Sequence, residues 1–230
     1  MRPIPETIEA AAELGRYDPE LDMLAYLQRA ADEVQTVVPD CVGLSLCWTD
    51  DHVAFTLVAS DEEIAALDAV QYLEDGPCVE AVRSGRGIEV TEDDLLNERA
   101  WQLFGQATAA RSVRSTLTLP LVTAGQVTGS ANLYAASDRA FEGHHRTLAL
   151  ILGGSASDVV RNADLSFSTR ATAEDAPAVV RDDNVLDLAV GVVIGALGLD
   201  PESALERLTV AAARAGISRA QFARALTDLF

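Results

Sequence analysis

The stretch Leu186-Asp187-Leu188-Ala189-Val190-Gly191-Val192-Val193-Ile194-Gly195-Ala196-Leu197, closed by Gly198 and followed by Asp200-Pro201-Glu202, decides how this chain is divided. It reads as an apolar helix stopped by a glycine that can take the left-handed conformation helix ends need. A second helix opens at Asp200, which can accept from free N–H groups; Pro201 lacks an N–H where none is needed, and Glu202 faces the positive end of the helix dipole. Ser218-Arg219-Ala220-Gln221 is a capping box that starts a third helix. Arg181 to Phe230 is thus a three-helix unit, too small to be stable without a partner or a preceding domain.

Working outward, Asn162 to Asp183 is rich in Ser, Thr, Ala, Asp and Pro and has no periodicity, which marks a linker. The expected division is residues 1–163 as a first domain, 164–180 as the linker and 181–230 as the helical unit. Upstream, helical spacing runs through residues 21–38 to Pro39. A hairpin follows, from Val42–Trp48 across Thr49-Asp50-Asp51-His52 to Val53–Ser60. Asp61 caps a helix carrying Leu67 and Val70, and Asp75-Gly76-Pro77-Cys78 turns into a short helix ended by Gly85. Gly87–Val90 reads as a strand, Asn97–Ala110 as a helix, and Ser112–Val122 with Val127–Ala135 as a second hairpin turning at Thr123-Ala124-Gly125-Gln126. Phe141 opens a helix reaching Arg161. Antiparallel hairpins flanked by helices define an α+β sandwich.

Composition excludes several classes. The 230 residues are 49% hydrophobic and 23% charged, with a mean hydropathy of +0.13 and no apolar run suited to a membrane span. The first residues lack a signal-peptide core, so the expected location is cytoplasmic. The formal charge is −19, of which residues 1–180 carry −17 and 181–230 only −2, and all 17 basic residues are arginine. That balance opposes an unassisted grip on nucleic acid.

No metal or enzyme site is expected. His144 and His145 are adjacent on a helix and diverge, His52 falls in a turn, and the Cys41/Cys47 spacing matches no zinc pattern. The pairs Asp93-Asp94 and Asp182-Asp183 read as solvated loops, and Leu152-Gly153-Gly154-Ser155 sits in a helical run with no lysine to reach a phosphate. Cys41, Cys47 and Cys78 read as buried, reduced thiols, with redox sensing at Cys78 as the alternative.

Several segments carry a family resemblance: Leu67-Asp68-Ala69-Val70-Gln71-Tyr72 leading into Asp75-Gly76-Pro77-Cys78-Val79-Glu80-Ala81, Arg111–Ser115, Leu119-Pro120-Leu121, and Asn132-Leu133-Tyr134-Ala135 with Phe141. In the tail, Ala189-x-Gly191, Ala204, Leu208, Ala211, Phe222 and Ala223 add to it. The whole resembles a GAF sensor domain followed by an ANTAR domain, as in bacterial transcription antitermination regulators. The resemblance implies a GAF-like antiparallel sheet flanked by helices and then an all-α ANTAR unit. It implies a homodimer, a small-molecule or protein signal, and binding to paired hairpin loops of nascent RNA. Loop bases are unstacked and open to side chains, and arginines meet phosphates. The RNA-contact candidates are Arg207, Arg214, Arg219 and Arg224. A ligand pocket, as in many GAF domains, would be lined by Trp48, Phe55, Cys78, Trp101, Phe104 and Asn132.

The tail departs from the family pattern where RNA contact matters. Val190 stands where relatives tend to have Lys, Thr209 and Val210 stand at usually basic positions, and Gly216-Ile217-Ser218 replaces a polar, basic stretch. Weaker RNA binding is expected. The rival reading is a degenerate ANTAR protein acting as a ligand-sensing or protein-interaction regulator, in which Leu205, Leu208, Phe222, Leu226 and Leu229 dock a partner or the GAF unit. The apolar faces of 21–38 and 141–161 are the expected dimer surfaces.

Overall fold

The computed structural model describes residues 23–50, 53–97, 101–162 and 183–228. His52, Asp182, Leu229 and the expected linker 164–180 lie outside them.

The first unit is built on one five-stranded antiparallel sheet, ordered β2-β1-β5-β4-β3. Its strands are β1 (Cys41–Asp50), β2 (Val53–Ala59), β3 (Ile88–Val90), β4 (Ser115–Thr123) and β5 (Gln126–Ala135). The central register pairs Cys47 with Ser130 and Ser45 with Asn132. In the β4–β5 turn Ala124 and Gly125 both have positive φ, 50° and 81°. That two-residue geometry matches the right-handed twist of the strands it joins.

Helices cover both faces. On one side α1 (Met23–Val37) and α6 (His145–Asn162) lie together on the sheet, burying Leu27, Val34, Leu148 and Leu152 against Leu44, Leu46 and Leu133. Of the stripes expected to form a dimer, Leu27, Ala31, Val34, Leu148 and Leu152 are therefore used inside the chain. The long helix starts at His145 rather than Phe141, which is buried in the preceding turn.

The other face carries α2 (Glu62–Glu74), α3 (Pro77–Ser84), α4 (Glu92–Asn97) and α5 (Gln102–Ala110). Asp61 caps α2 by accepting from Ile64 N, and Asp75 ends it in the left-handed conformation at φ 54°. Residues 97–110 do not form one helix: α4 and α5 are separate. Thr91 and Asp94 start α4 reciprocally, Thr91 N donating to Asp94 Oδ2 at 3.0 Å and Asp94 N to Thr91 Oγ1 at 3.4 Å. Asp93-Asp94 thus opens a helix, where acidic residues favour the dipole, instead of lying in a loop.

Gly105 fixes how α4 and α5 meet, because a Cβ there would stand 2.4 Å from the Leu95 carbonyl oxygen. Gly105→Ala is expected to destabilise by about 2 kcal/mol, since the forced shift outweighs the roughly 1 kcal/mol that Ala gains in a helix. Chemical denaturation checks the sign.

The tail forms α7 (Asp183–Leu197), α8 (Pro201–Ala215) and α9 (Arg219–Thr227). Asp200 accepts from Ser203 N, and Ser218 and Gln221 complete the capping box. Helices α7 and α8 turn through 104° at a break that contains Gly198, φ 67°. Ala189, Val193, Leu208, Phe222 and Leu226 form the interior of the trio, continuous with the apolar layer beneath α2. No single helix among the described residues is long and apolar enough to cross a membrane.

Candidate functional site

Polar residues on α2 and on one face of the sheet meet in a fully buried cluster. On β5, Ser130, Asn132 and Tyr134 alternate onto the face shared by Ser45 and Cys47 of β1 and Thr56 of β2. Above them α2 presents Asp68, Gln71 and Tyr72, one turn apart on one side of the helix. Asp68 accepts from Tyr134 Oη at 2.5 Å, Thr56 Oγ1 at 2.9 Å and Asn132 Nδ2 at 3.0 Å. Burial pushes its carboxyl above the usual carboxylate range, and hydrogen bonds from Tyr134, Ser45, Thr56 and Asn132 oppose the shift.

Two of the following helices take their caps from the end of α2. Gln71 Oε1 accepts from Cys78 N at 2.7 Å, and Gln71 Nε2 donates to Tyr134 Oη at 2.8 Å. The Glu74 carboxylate accepts from Leu103 N at 2.9 Å and Phe104 N at 2.8 Å. Neither Gly76 nor Trp101, the local cap positions of α3 and α5, supplies a side-chain cap. Side chains distant in sequence therefore satisfy the first N–H groups of both helices.

Two sulfurs complete the cluster. Cys47 Sγ and Cys78 Sγ stand 3.9 Å apart, and Cys78 Sγ lies 3.3 Å from Ser130 Oγ. Tyr72 Oη donates toward Cys47 Sγ at 3.4 Å and lies 2.8 Å from Thr56 Oγ1. All three cysteines are free and buried; Cys41 sits on the opposite sheet face, its thiol pushed up to about 11 by burial.

The tail is fastened directly over this cluster. Arg214 lays its guanidinium 4.2 Å from the Tyr72 ring centroid and donates Nε–H to the Ala54 carbonyl of edge strand β2 at 2.9 Å. Arg207, two turns earlier, donates from Nε and Nη2 to the Leu73 carbonyl at 3.1 and 2.9 Å, and pairs with Asp75 at 3.7 Å. Between them on the same helix face, Ala211 is 1% exposed. Gln221 Nε2 reaches Glu62 Oε1 at 3.4 Å. Arg207 thereby serves the C-terminal carbonyls of α2, and Arg214 an edge strand that would otherwise offer unpaired acceptors.

The expected site residues are thus sorted. Of the four arginines, Arg207 and Arg214 hold the tail to the first unit, whereas Arg219 and Arg224 stand exposed on α9. The six pocket candidates do not line one cavity. Trp48 and Phe55 stack at 5.6 Å on the face of α1 and α6. Cys78, Phe104 and Asn132 are buried on the other face, and Trp101 packs at its margin with Nε1–H donating to the Asp75 carbonyl at 3.1 Å. The separation follows from strand alternation, which sends Cys47 and Trp48 to opposite faces. Leu208, Phe222 and Leu226 of the expected docking stripe are fully buried in the interior of the trio, and Leu205 is half-buried.

Sequence reasoning missed Asp68, Gln71, Tyr72, Tyr134, Ser45, Thr56 and Ser130 as a cluster. The signal was present: polar residues at i, i+3 and i+4 of a helix that is otherwise apolar, and at i, i+2 and i+4 of a buried strand. His145 pairs with Glu89, Nε2 to Oε2 at 2.5 Å. Among the described residues no group of three or more His, Cys, Asp or Glu is placed to hold a metal ion.

This fold and site define a class: an antiparallel sheet between helical layers, with a polar cluster enclosed on one face. The chain belongs to the GAF domain family, whose model matches residues 20–161. Similar solved structures include a domain of a putative two-component sensor histidine kinase protein from Sinorhizobium meliloti 1021, with 17% identity, 62% of this chain and 93% of that chain covered, and a TM-score of 0.42. Another is a type II free methionine-R-sulfoxide reductase from Thermoplasma acidophilum, with 14% identity, 68% and 95% covered, and a TM-score of 0.43. Among curated proteins none matches the chain.

Proposed function

We propose that the chain is a cytoplasmic, non-enzymatic regulator in which the GAF unit senses a signal and restrains an ANTAR-like tail that binds hairpin loops of nascent RNA. The carrying observation is Arg214, seated on Tyr72 and bonded to the Ala54 carbonyl. Held this way, the tail keeps Arg219 and Arg224 on its exposed face and engages Arg207 and Arg214 against the GAF unit. A signal that loosens the seat frees the whole set, so restraint and sensing share one contact. A homodimer belongs to the same reading and is checked by light scattering at micromolar concentration.

The test is filter binding to a two-hairpin leader RNA over a salt series. For single strands log affinity falls with log salt by about 0.7 per phosphate contact. Between 50 and 200 mM salt, two contacts predict about a sevenfold loss and four contacts about a fiftyfold loss. Wild type is expected to follow the shallow slope. Ala211→Gln, which wedges a polar side chain into the docked face, is expected to follow the steep one with higher affinity at low salt. Absence of binding by either protein at low salt would sink the RNA reading.

A second reading has its own support. Leu188 and Val210 are 64% and 48% exposed on the tail, and Gly191 and Gly195 of α7 face open space. A tail that docks a protein in place of RNA would use that surface, and would leave the filter assay blank.

A further inference from the structure

Cys47 lies mid-strand in β1 and Cys78 at the second position of α3, 31 residues apart in sequence, yet the fold brings their sulfurs to 3.9 Å. The two are not equivalent. Cys78 sits at a helix N-terminus opened by Gly76 and Pro77, where the dipole favours an anion. The contact with Cys47, toward which Cys78 Sγ donates, holds the Cys78 thiol below its ordinary value against burial and the Asp68 carboxyl, and Ser130 and Asn132 help. Burial first, then Cys78 itself, pushes the Cys47 thiol up. Cys78 is thus the sulfur at a helix N-terminus, and Cys47 the one enclosed in mid-strand.

We propose that Cys47 and Cys78 are a redox-active dithiol that closes to a disulfide on reaction with a hydroperoxide, hydrogen peroxide being small enough to reach a buried pair. The Cys78 thiolate attacks one peroxide oxygen; the O–O bond breaks, leaving a sulfenic acid and hydroxide, which is protonated to water. The Cys47 sulfur then attacks the Cys78 sulfur. An S–S bond forms, the S–O bond breaks, and the departing hydroxide takes the Cys47 proton as water. Two thiols are oxidised and one peroxide is reduced to two waters. Closure draws the sulfurs from 3.9 Å to about 2.05 Å.

Tyr72 links this chemistry to the tail. Its hydroxyl contacts Cys47 and its ring carries Arg214, so closure disturbs the residue on which the tail is seated. Only this consequence rests on the sensor reading.

The full chain is treated with hydrogen peroxide, alkylated and digested without reductant. Cleavage at acidic residues is required, because no arginine lies between Arg29 and Arg83 while Asp50 and Asp51 separate Cys47 from Cys78. The expected product is a linked Cys47–Cys78 peptide pair lighter by two hydrogens, released by dithiothreitol, with Cys41 still alkylated. In Cys47→Ser the sulfenic acid at Cys78 is expected to be trapped by dimedone at least tenfold more than in wild type. Absence of the linked peptide in wild type, or oxidation of Cys41 ahead of the pair, overturns the proposal. That measurement is independent of RNA, so a blank filter assay with a formed disulfide fails the function and leaves the redox pair intact.

Discussion

Asp68→Ala is expected to lower the stability of the first unit by about 4 kcal/mol, the effect of removing one partner from a buried charge-capable network. The side chain is fully buried and is the common acceptor for Tyr134, Thr56 and Asn132. Truncation leaves these donors without water to replace it, and adds a cavity between α2 and the sheet. With a urea slope of roughly 2 kcal/mol per molar, the midpoint should fall by about 2 M. An unchanged midpoint would mean that Asp68 is not the centre of the cluster. Asp68→Asn is expected to be milder and to change the pH response. The folded-state pKa is raised, so the native protein binds this proton more tightly than the unfolded chain. Its contribution is greatest below the unfolded carboxylate range and declines as pH rises through that range toward the folded value. As pH rises above the ordinary carboxylate range, the Asn variant should therefore lose less stability than wild type.

Arg214→Ala is expected to unseat the tail while leaving the sheet intact. It removes a charge-assisted bond to the Ala54 carbonyl, worth about 2 kcal/mol, and a cation–π contact on Tyr72 worth about 1 kcal/mol. Burial of the guanidinium lowers its pKa, a desolvation cost of docking that these two contacts offset. Hydrogen exchange should rise by about two orders of magnitude across residues 183–228 and stay constant in β1 and β5. Uniform acceleration of both regions would show instead that tail and sheet unfold as one unit. Arg214→Lys should fall between the two, since an ammonium keeps the charge but cannot both stack flat and donate sideways.

Element boundaries were most legible where a local signal stands alone. The capping box at Ser218 and the Asp200-Pro201 start were read correctly because both partners of each cap lie within four residues. The β4–β5 hairpin was read from alternation and its turn. The break between α4 and α5 carries no local mark in residues 97–110, because α4 starts upstream at Thr91 and α5 takes its cap from Glu74, far away in sequence. The six pocket candidates divide between the two sheet faces for a related reason: the pleat sends neighbours such as Cys47 and Trp48 to opposite sides.

The sequence by itself determined most of the helices and both hairpins, because periodicity and caps are local and survive any packing. Only the tertiary structure decided which polar groups meet and what the tail arginines do. A buried carboxylate takes partners from three separate strands, and Arg207 and Arg214 bind carbonyl oxygens, which every residue carries and no sequence pattern marks.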